Sequence, residues 1–358
     1  SGFDCILVPL GNGIDGRYMT QLRCSAMVLP ADGREPIVIA DRRSNNLWVP
    51  EPWQTGREWA EPTGEALLDL GMERARIGVA GLSGGAVTHC SSIDGVVNHT
   101  ALAQVMTKVP NARFEDATDV IGMVRYAKSD EEIAFVRESV SVASAGLDEL
   151  IKRARPGADG GVVYADVLAR MLELGSEYFP LMLTIGSIDS TKPRRYTNPP
   201  LGCRLKADTL ITSEIHAIRG AQLTQVCQPI LLGKIPDEWK SAIALQREVY
   251  DAGLGLMRPG TTFGALADRV AGLAKGEMKI VMQLNGGGYG DDGPVFDGGK
   301  RDNRARDLTM KAGNVFVWRP SVASEDGRIR FAWGGPVLLT ESGCEPLFKR
   351  EHGLVEIC

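Results

Sequence analysis

The sequence predicts a mixed α/β (α+β) protein, with a small N-terminal α/β domain over residues 1–122 and a larger C-terminal domain over residues 123–358. In the first third of the chain, short apolar runs alternate with helical stretches. A long helix with a clear start signal begins near residue 130. Beyond it, strand-like runs are joined by glycine turns, which is typical of antiparallel sheets.

The composition is that of an ordinary globular protein, because 44% of the 358 residues are hydrophobic, 24% are charged and the net charge is −5. No basic excess would attract phosphate groups, so we expect no nucleic-acid partner. No apolar run is long enough to span a bilayer and no signal-peptide pattern is present, so we expect no membrane partner. The seven scattered cysteines form no CxxC pair, which favours reduced thiols and a cytoplasmic protein.

Local patterns place the elements of the N-terminal domain. The apolar runs 24–29 and 36–40 flank the sequence PADG, and Asp-Gly between two such runs predicts a β-hairpin. A helical stretch then ends at Gly71, and the compact apolar run 76–80 predicts a strand. A helix followed by a strand in this order indicates an α/β layer.

A capping box begins the C-terminal domain. Ser129 is followed by Glu132 three residues later, and apolar residues then recur at helical spacing as far as Pro156-Gly157. A second Arg-Pro-Gly break, at residues 258–260, also separates two helical stretches. We interpret this as a duplicated helix–helix–strand unit, with chance as the alternative because Pro-Gly is a common helix stop.

Several strands are predicted in the C-terminal domain. They lie at residues 181–185, 210–218, 222–232, 315–319 and 336–340. The second and third are joined by a short turn and are expected to pair antiparallel. The run NGGGYGDDG at residues 285–293 predicts a glycine-rich loop that approaches a pocket closely, because it lacks the Lys-Ser/Thr of a phosphate-binding loop.

Four segments resemble motifs of the creatinase / aminopeptidase P / prolidase family and occur in that family's order. They are VRYAKSDEEIAFVRESVSVAS, LKADTLITSEIHAIRGAQLTQVCQPILLG, LTMKAGNVFVWRPSV and GGPVLLTESGCEPL. The resemblance covers nearly the whole chain. It implies a creatinase-like N-terminal domain followed by a C-terminal pita-bread domain, and a homodimer in which one N-terminal domain closes the neighbour's pocket.

The metallopeptidases of this family bind two metal ions through two Asp, one His and two Glu. Carried over to this chain, those positions fall at Ser213 or Glu214, Thr224 or Gln225, Gly287, Arg319, and Gly334 or Trp333. Few anionic ligands remain, and a guanidinium would place a permanent positive charge where a metal should bind. The sequence therefore predicts a divergent member of the family with no metal and no other cofactor.

The residues at those positions suggest metal-free catalysis. Glu214 and His216 lie two apart on a predicted strand and share a face, as a general-base pair requires, although a purely structural histidine is the alternative. Asp291 is a further acid–base candidate, or a turn residue. Arg319 lies on an otherwise apolar strand, and we expect it either to pair with Glu214 or to bind an anionic group of the substrate.

Other side chains are candidates for substrate binding. They are Gln225, Tyr289, Trp333, Arg195, Tyr196 and Thr197. The glutamine and the tyrosine at 289 could donate hydrogen bonds, and residues 195–197 would line the pocket mouth unless they form a solvated turn. Creatinase has its catalytic His before an Asn-Pro pair, whereas Thr197 stands there in this chain, which makes creatine itself doubtful as the substrate.

The leading prediction is a metal-independent, creatinase-like hydrolase that cleaves a C–N bond in a small polar metabolite bearing a carboxylate. Glu214 and His216 would activate water or accept a proton, and Arg319 would hold the anionic end. A lyase that uses the same base and Arg on a carbon acid is one alternative. A pseudo-peptidase that only binds a partner is the other, and the sequence does not name the substrate.

Overall fold

The computed structural model describes residues 2–9, 13–20, 26–40, 53–54, 58–87, 95–189, 198–282, 284–289, 293–296 and 305–358. The chain divides into two compact units, Ser1–Arg125 and Tyr126–Cys358. The division falls after Arg125, whereas the sequence analysis places it after residue 122. Within the described ranges, no helix combines the length and the apolar character needed to cross a bilayer.

The N-terminal unit is built on a sheet of six described strands. Its elements are β1 (Cys5–Pro9), α1 (Gly13–Thr20), β2 (Ala26–Pro30), β3 (Ile37–Ala40), β4 (Trp53–Gln54), α2 (Ala60–Asp69), β5 (Arg76–Val79), α3 (His99–Lys108), β6 (Arg113–Asp116) and α4 (Thr118–Tyr126). The strand order is β4-β3-β2-β1-β5-β6, with β5 parallel to both β1 and β6. The antiparallel pair β2–β3 confirms the predicted hairpin, although residues 24 and 25 lie outside the described ranges.

Alternating apolar side chains bury this sheet against its helices. Leu7, Val28, Ile39 and Ile77 are fully buried and belong to one cluster, which also includes Leu67 of α2. Each such side chain contributes about 1.5–3 kcal/mol when it is removed from water. The helix containing Leu67 ends where the sequence predicts, just before the positive-φ Gly71 (φ +70°).

The C-terminal unit contains four helices and fourteen short strands within the described ranges. They are α5 (Asp130–Arg153), α6 (Gly160–Glu173), β7 (Met182–Ser187), β8 (Thr209–Arg219), β9 (Gln222–Val226), β10 (Ile230–Leu231), α7 (Asp237–Leu256), α8 (Phe263–Ala271), β11 (Lys279–Val281), β12 (Leu284–Gly286), β13 (Gly288–Tyr289), β14 (Val295–Phe296), β15 (Val315–Trp318), β16 (Ser321–Ala323), β17 (Arg330–Ala332), β18 (Gly335–Thr340), β19 (Gly343–Pro346) and β20 (Val355–Glu356). Two sheets matter for the site: β13-β9-β8-β10-β20, with β7 also paired to β8, and β14-β12-β15-β18-β19.

The capping box at the start of α5 is confirmed. The Ser129 side chain accepts a hydrogen bond from the Glu132 N–H at 3.3 Å, and the Glu132 carboxylate accepts one from the Ser129 N–H at 2.9 Å. These bonds satisfy backbone donors that the first turn of a helix leaves without partners. α5 then buries Val136, Val140 and Leu147 on one face, as the apolar spacing predicts.

The duplicated unit is also present. Two backbone hydrogen bonds tie residues 157–158 to Leu205 after the first Pro-Gly break, and the same two bonds tie residues 260–261 to Met310 after the second. The helices α5 and α6 therefore have counterparts in α7 and α8. One half of the unit contributes β8 and β9 to the site, and the other contributes β15 and β18.

Two predictions about strands are wrong. The predicted strand 222–232 is two strands, because Cys227 exchanges both backbone hydrogen bonds with Gly334 and Pro229 has no N–H to donate. Much of the described part of the predicted glycine-rich loop is also strand, since β12 pairs with β15 and β13 pairs with β9. Between them, Gly287 is buried, and a Cβ there would lie 3.1 Å from Cγ1 of Val315, so the backbone lies close to β15, while the approach to a pocket stays a prediction.

Candidate functional site

Polar side chains share one face of the β8–β9 ladder. His216 lies directly opposite Gln225 in the antiparallel register. Glu214 lies two residues from His216 on β8, and strand alternation places both on the same face. The amide nitrogen Nε2 of Gln225 donates to Sγ of Cys227, 3.6 Å away. All four side chains are buried, so the sheet holds a compact polar cluster out of contact with bulk water.

Arg319 closes this cluster from the other half of the unit. It directly follows β15, and its Nη1 lies 2.6 Å from Oε1 of Glu214. The side chains of Arg319 and Glu214 are only 9% and 8% exposed, so the ion pair is shielded from water. A buried charge is tolerated when it is paired and hydrogen-bonded. Of the two roles expected for Arg319, the structure shows the pairing with Glu214, and the binding of a substrate anion stays a prediction.

His216 is a neutral imidazole in this environment. It is 5% exposed, and the ring of Phe179 lies over it with 5.1 Å between ring centroids. Burial lowers the pKa of His216 to about 4, because desolvation outweighs the opposing attraction of Glu214. Within the described residues, its Nδ1 has no hydrogen-bond partner. Glu214 thus raises the pKa of its neighbour, as expected for a general-base pair, but burial lowers that pKa by more.

Cys227 is a member of the cluster that the sequence analysis missed. Burial raises the pKa of its thiol to about 12, and the Glu214 carboxylate acts in the same direction. Arg319 and Gln225 oppose that shift through their positive charge and hydrogen bonding, respectively. The thiol is protonated at neutral pH. Its i, i+2 spacing from Gln225 is the signal that could have identified it.

The residues present do not suit the two metal ions that the family resemblance implies. Arg319 places its guanidinium against the carboxylate of Glu214, the one acidic side chain of the cluster. Gly334 has φ +149°, and a Cβ there would lie 2.1 Å from the carbonyl oxygen of Trp318, so no ligating side chain fits. Across the described ranges, no group of three or more His, Cys, Asp or Glu is arranged to hold a metal. Divalent cations need several such donors.

A buried glutamine joins the two chain segments that carry Arg319 and Gly334. Nε2 of Gln246 donates to the carbonyl oxygens of Pro320 at 2.7 Å and of Trp333 at 2.8 Å, and its Oε1 is hydrogen-bonded to His352. The ring of Trp333 packs against Tyr250 and His352 in an aromatic cluster, with centroid distances of 4.9 and 4.8 Å. The structure therefore places Trp333 in a buried aromatic cluster, and its predicted role in substrate binding stays a prediction.

The remaining predicted site residues are only partly described. The backbone of Tyr289 pairs with Gln222 of β9, next to the cluster, but its side chain is outside the description. The candidates Asp291, Arg195, Tyr196 and Thr197 lie outside the described residues. The next residue, Asn198, accepts a hydrogen bond at Oδ1 from the Leu183 N–H at 3.0 Å, which ties Asn198 to β7.

Sequence reasoning also missed Phe179 and Gln246. Phe179 precedes β7 in the segment EYFPLM, and only its aromatic character hinted at a role. Gln246 lies in α7 at an apolar-periodic position, where a polar residue indicates a buried hydrogen-bond partner. In both cases the contact is with a residue far along the chain or on another element, which local patterns do not report.

Comparison with known proteins identifies relatives. The sequence model of metallopeptidase family M24 matches residues 134–341. An uncharacterized hydrolase/peptidase, y4tL of Sinorhizobium fredii, is 24% identical over 188 residues, which are 49% of this chain and 45% of that protein. Ectoine hydrolase of Halomonas elongata is 22% identical over 262 residues, which are 68% of this chain and 63% of that protein. The chain thus spans less than two thirds of the length of these relatives.

Solved structures show the same fold. The X-Pro aminopeptidase of Thermotoga maritima superimposes with a TM-score of 0.78 and 16% identity, covering 99% of this chain and 98% of that one. A dipeptidase of Pyrococcus horikoshii has a TM-score of 0.79 and 18% identity, with 99% and 96% covered. The prolidase of the same organism has a TM-score of 0.76 and 16% identity, with 99% and 96% covered. The expected two-part architecture with a pita-bread domain is confirmed.

Proposed function

The chain belongs to metallopeptidase family M24, and on this premise we propose that it is a metal-independent hydrolase that cleaves a C–N bond of a small carboxylate-bearing metabolite. The supporting observation is the buried ion pair between Glu214 and Arg319, which replaces metal ligands with a cation able to bind a carboxylate. A relative named ectoine hydrolase supports a small-molecule substrate rather than a protein.

The ion pair explains how binding would activate the site. The carboxylate of the substrate takes the guanidinium of Arg319 in a bidentate contact and displaces Glu214 from it. Glu214 then faces His216 without its compensating cation, and the attraction of the imidazole for a proton increases. Binding thus converts a weakly basic imidazole into a better general base.

The bond changes follow from that arrangement. His216 takes a proton from a water molecule, and the resulting hydroxide adds to the carbon of the C–N bond. The leaving nitrogen receives the proton back from His216 as the bond breaks, so the site returns to its starting protonation. Gln225, directly opposite His216, would donate its second amide hydrogen, the one that does not bond to Cys227, to the substrate.

The test combines metal analysis with turnover. Elemental mass spectrometry of protein purified with Mn, Zn and Fe supplied should find substoichiometric metal. A panel of carboxylate-bearing amides and amidines, ectoine among them, should yield hydrolysis products, and chelators should not slow the reaction. Stoichiometric metal that is required for turnover would overturn the proposal. Products formed without the addition of water would instead show that the protein is a lyase. Substrate binding without turnover would show that it is a pseudo-peptidase.

Variants sharpen this test. Arg319→Met and Glu214→Gln should each abolish turnover, since one removes the carboxylate anchor and the other the group that activates His216. The matched control is Arg137→Met, because Arg137 forms an exposed ion pair with Glu345 at 2.9 Å. Equal activity in Arg319→Met and Arg137→Met would contradict the assigned role.

Two accompanying proposals concern the location of the protein in the cell and its oligomeric state. The described cysteines are free thiols, which supports a cytoplasmic location. The family resemblance supports a homodimer. Cell fractionation tests the first, and light scattering of the purified chain tests the second.

A further inference from the structure

A groove with a volume of about 990 Å³ lies between α7 and the C-terminal segment of the chain. Residues of α7 line one wall, and residues 351–356 line the other. Hydrogen bonds hold the C-terminal wall in place, because Nε2 of Gln228 donates to the carbonyl of Gly353 at 2.8 Å and His352 is bonded to Gln246. The groove is therefore formed before anything binds to it.

The C-terminal wall includes an unpaired strand edge. β20 ends its sheet, with β10 as its neighbour. The N–H groups of Val355 and Ile357 donate to carbonyl groups in and beside β10, at 3.0 and 2.9 Å. Successive backbone groups of a strand point in opposite directions, so the N–H and C=O of Leu354 and Glu356 point away from β10. None of these four groups has a backbone partner in the part of the chain that the structure describes.

α7 supplies the opposite wall of the groove. Lys240, Ile243, Ala244 and Arg247 all line it, and their spacing of three, four and seven residues places them on one face of the helix. This face is apolar in the middle and has a cation at each end. From Asp237 to Arg247 the helix rises by about 15 Å, which is the length of four or five extended residues.

The two cations differ in what they have available for a ligand. Nζ of Lys240 lies 2.5 Å from Asp237, in a pair within the first turn of α7. Nε of Arg247 lies 3.8 Å from Asp251, which is a long and exposed ion pair. Its two Nη groups donate no hydrogen bond to any residue that the structure describes, so the guanidinium fork can take a carboxylate. The lining holds three cations and three carboxylates, so this fork, rather than net charge, selects the ligand.

We propose that the groove binds an extended peptide segment of a partner protein, which joins the outer edge of β20 as a further strand. The backbone of the segment pairs with the free groups of Leu354 and Glu356. One alternate set of its side chains lies against α7, with aliphatic residues on Ile243 and Ala244 and an acidic residue on Arg247. The inference goes beyond the proposed hydrolase and does not depend on it.

Backbone pairing is tested with synthetic peptides and the full chain. The probe is a fluorescein-labelled, C-terminally amidated peptide of sequence VTVTE, and fluorescence anisotropy measures its affinity. In an added strand, every second N–H faces the neighbouring strand. Methylating the amide nitrogens of one alternate set of residues should therefore weaken binding at least tenfold, whereas methylating the other set should leave it within about twofold.

Variants of the protein test each wall separately. Glu356→Pro removes the outward N–H and should weaken VTVTE by about fivefold, and Glu356→Ala, which keeps that N–H, is its matched control. The wild type should bind VTVTE about tenfold more tightly than VTVTQ, since an ionic hydrogen bond to Arg247 is replaced by a neutral one. Arg247→Ala should abolish this preference. Arg170→Ala, at an exposed arginine of α6, should keep it.

Three results would overturn the inference. The first is an equal response to methylation of the two sets, which would show that no strand is added. The second is equal affinity of the wild type for VTVTE and VTVTQ, which would remove the acidic partner. The third is no peptide binding together with a dimer that only Glu356→Pro dissociates in light scattering, which would give the edge to a second copy of the chain. Circular dichroism of each variant shows that a lost response is not lost folding.

Discussion

Replacing Arg319 by Met tests the buried ion pair most directly. Methionine has a similar length but no charge, so the carboxylate of Glu214 loses its partner while it stays 8% exposed. Breaking a buried pair from one side costs about 3–5 kcal/mol, because an uncompensated charge remains in a poorly solvated site. We therefore expect Arg319→Met to lower the free energy of unfolding by about that amount.

A second substitution, at Glu214, provides an internal check on the predicted loss of stability. Adding Glu214→Gln to Arg319→Met removes the stranded charge, so the double variant should recover most of the lost stability. The control is Arg137→Met, whose pair with Glu345 is 45% and 36% exposed, and whose loss should cost no more than about 1 kcal/mol.

Urea unfolding followed by tryptophan fluorescence measures these differences, with circular dichroism as the second probe. The reasoning would be refuted if Arg319→Met cost no more than Arg137→Met. It would also fail if the double variant were less stable than Arg319→Met alone, since that would mean the two side chains stabilise the fold independently.

Three further predictions concern the surroundings of this pair. Gly334→Ala should destabilise the protein by about 2–3 kcal/mol more than Gly343→Ala in urea unfolding. Both glycines have φ near +150°, but only at Gly334 would an added Cβ clash with a backbone oxygen. Equal losses of stability in the two variants would contradict this. Burial holds the pKa of His216 near 4 rather than 6.5, so its contribution to stability is present above pH 6.5 and is lost as the pH falls towards 4. His216→Gln should remove about 3 kcal/mol of that pH dependence, and an unchanged pH profile of unfolding would show that this imidazole protonates freely. Gln246→Leu should cost about 3 kcal/mol, because two buried carbonyl groups lose their donor, and a neutral result would show that water replaces the amide.

Elements with local signals could be predicted from the sequence. The capping box at Ser129, the hairpin around PADG and the helix end at Gly71 each depend on residues within a few positions of one another. The two Arg-Pro-Gly segments could also be recognised as helix ends, because each terminates a helix by the same backbone chemistry. Together with the family motifs, these signals were sufficient for the fold.

Features that depend on partners far along the chain could not be predicted. The strand break after Val226 exists because Cys227 pairs with Gly334, more than a hundred residues later. Much of the described part of the glycine run forms strands because β9 and β15 lie on either side of it. Neither partner can be identified from the local pattern, so the sequence alone favoured one long strand and one loop.

By itself, the sequence determined which chemical groups this site contains: Glu214, His216, Gln225 and Arg319, with few donors left for a metal. Strand periodicity placed Glu214 and His216 on one face, because alternation depends only on position along the strand. Only the tertiary structure decided the state of those groups. The pKa of His216 and the pairing of Arg319 depend on how much water and charge surround them, and elements distant in sequence set both.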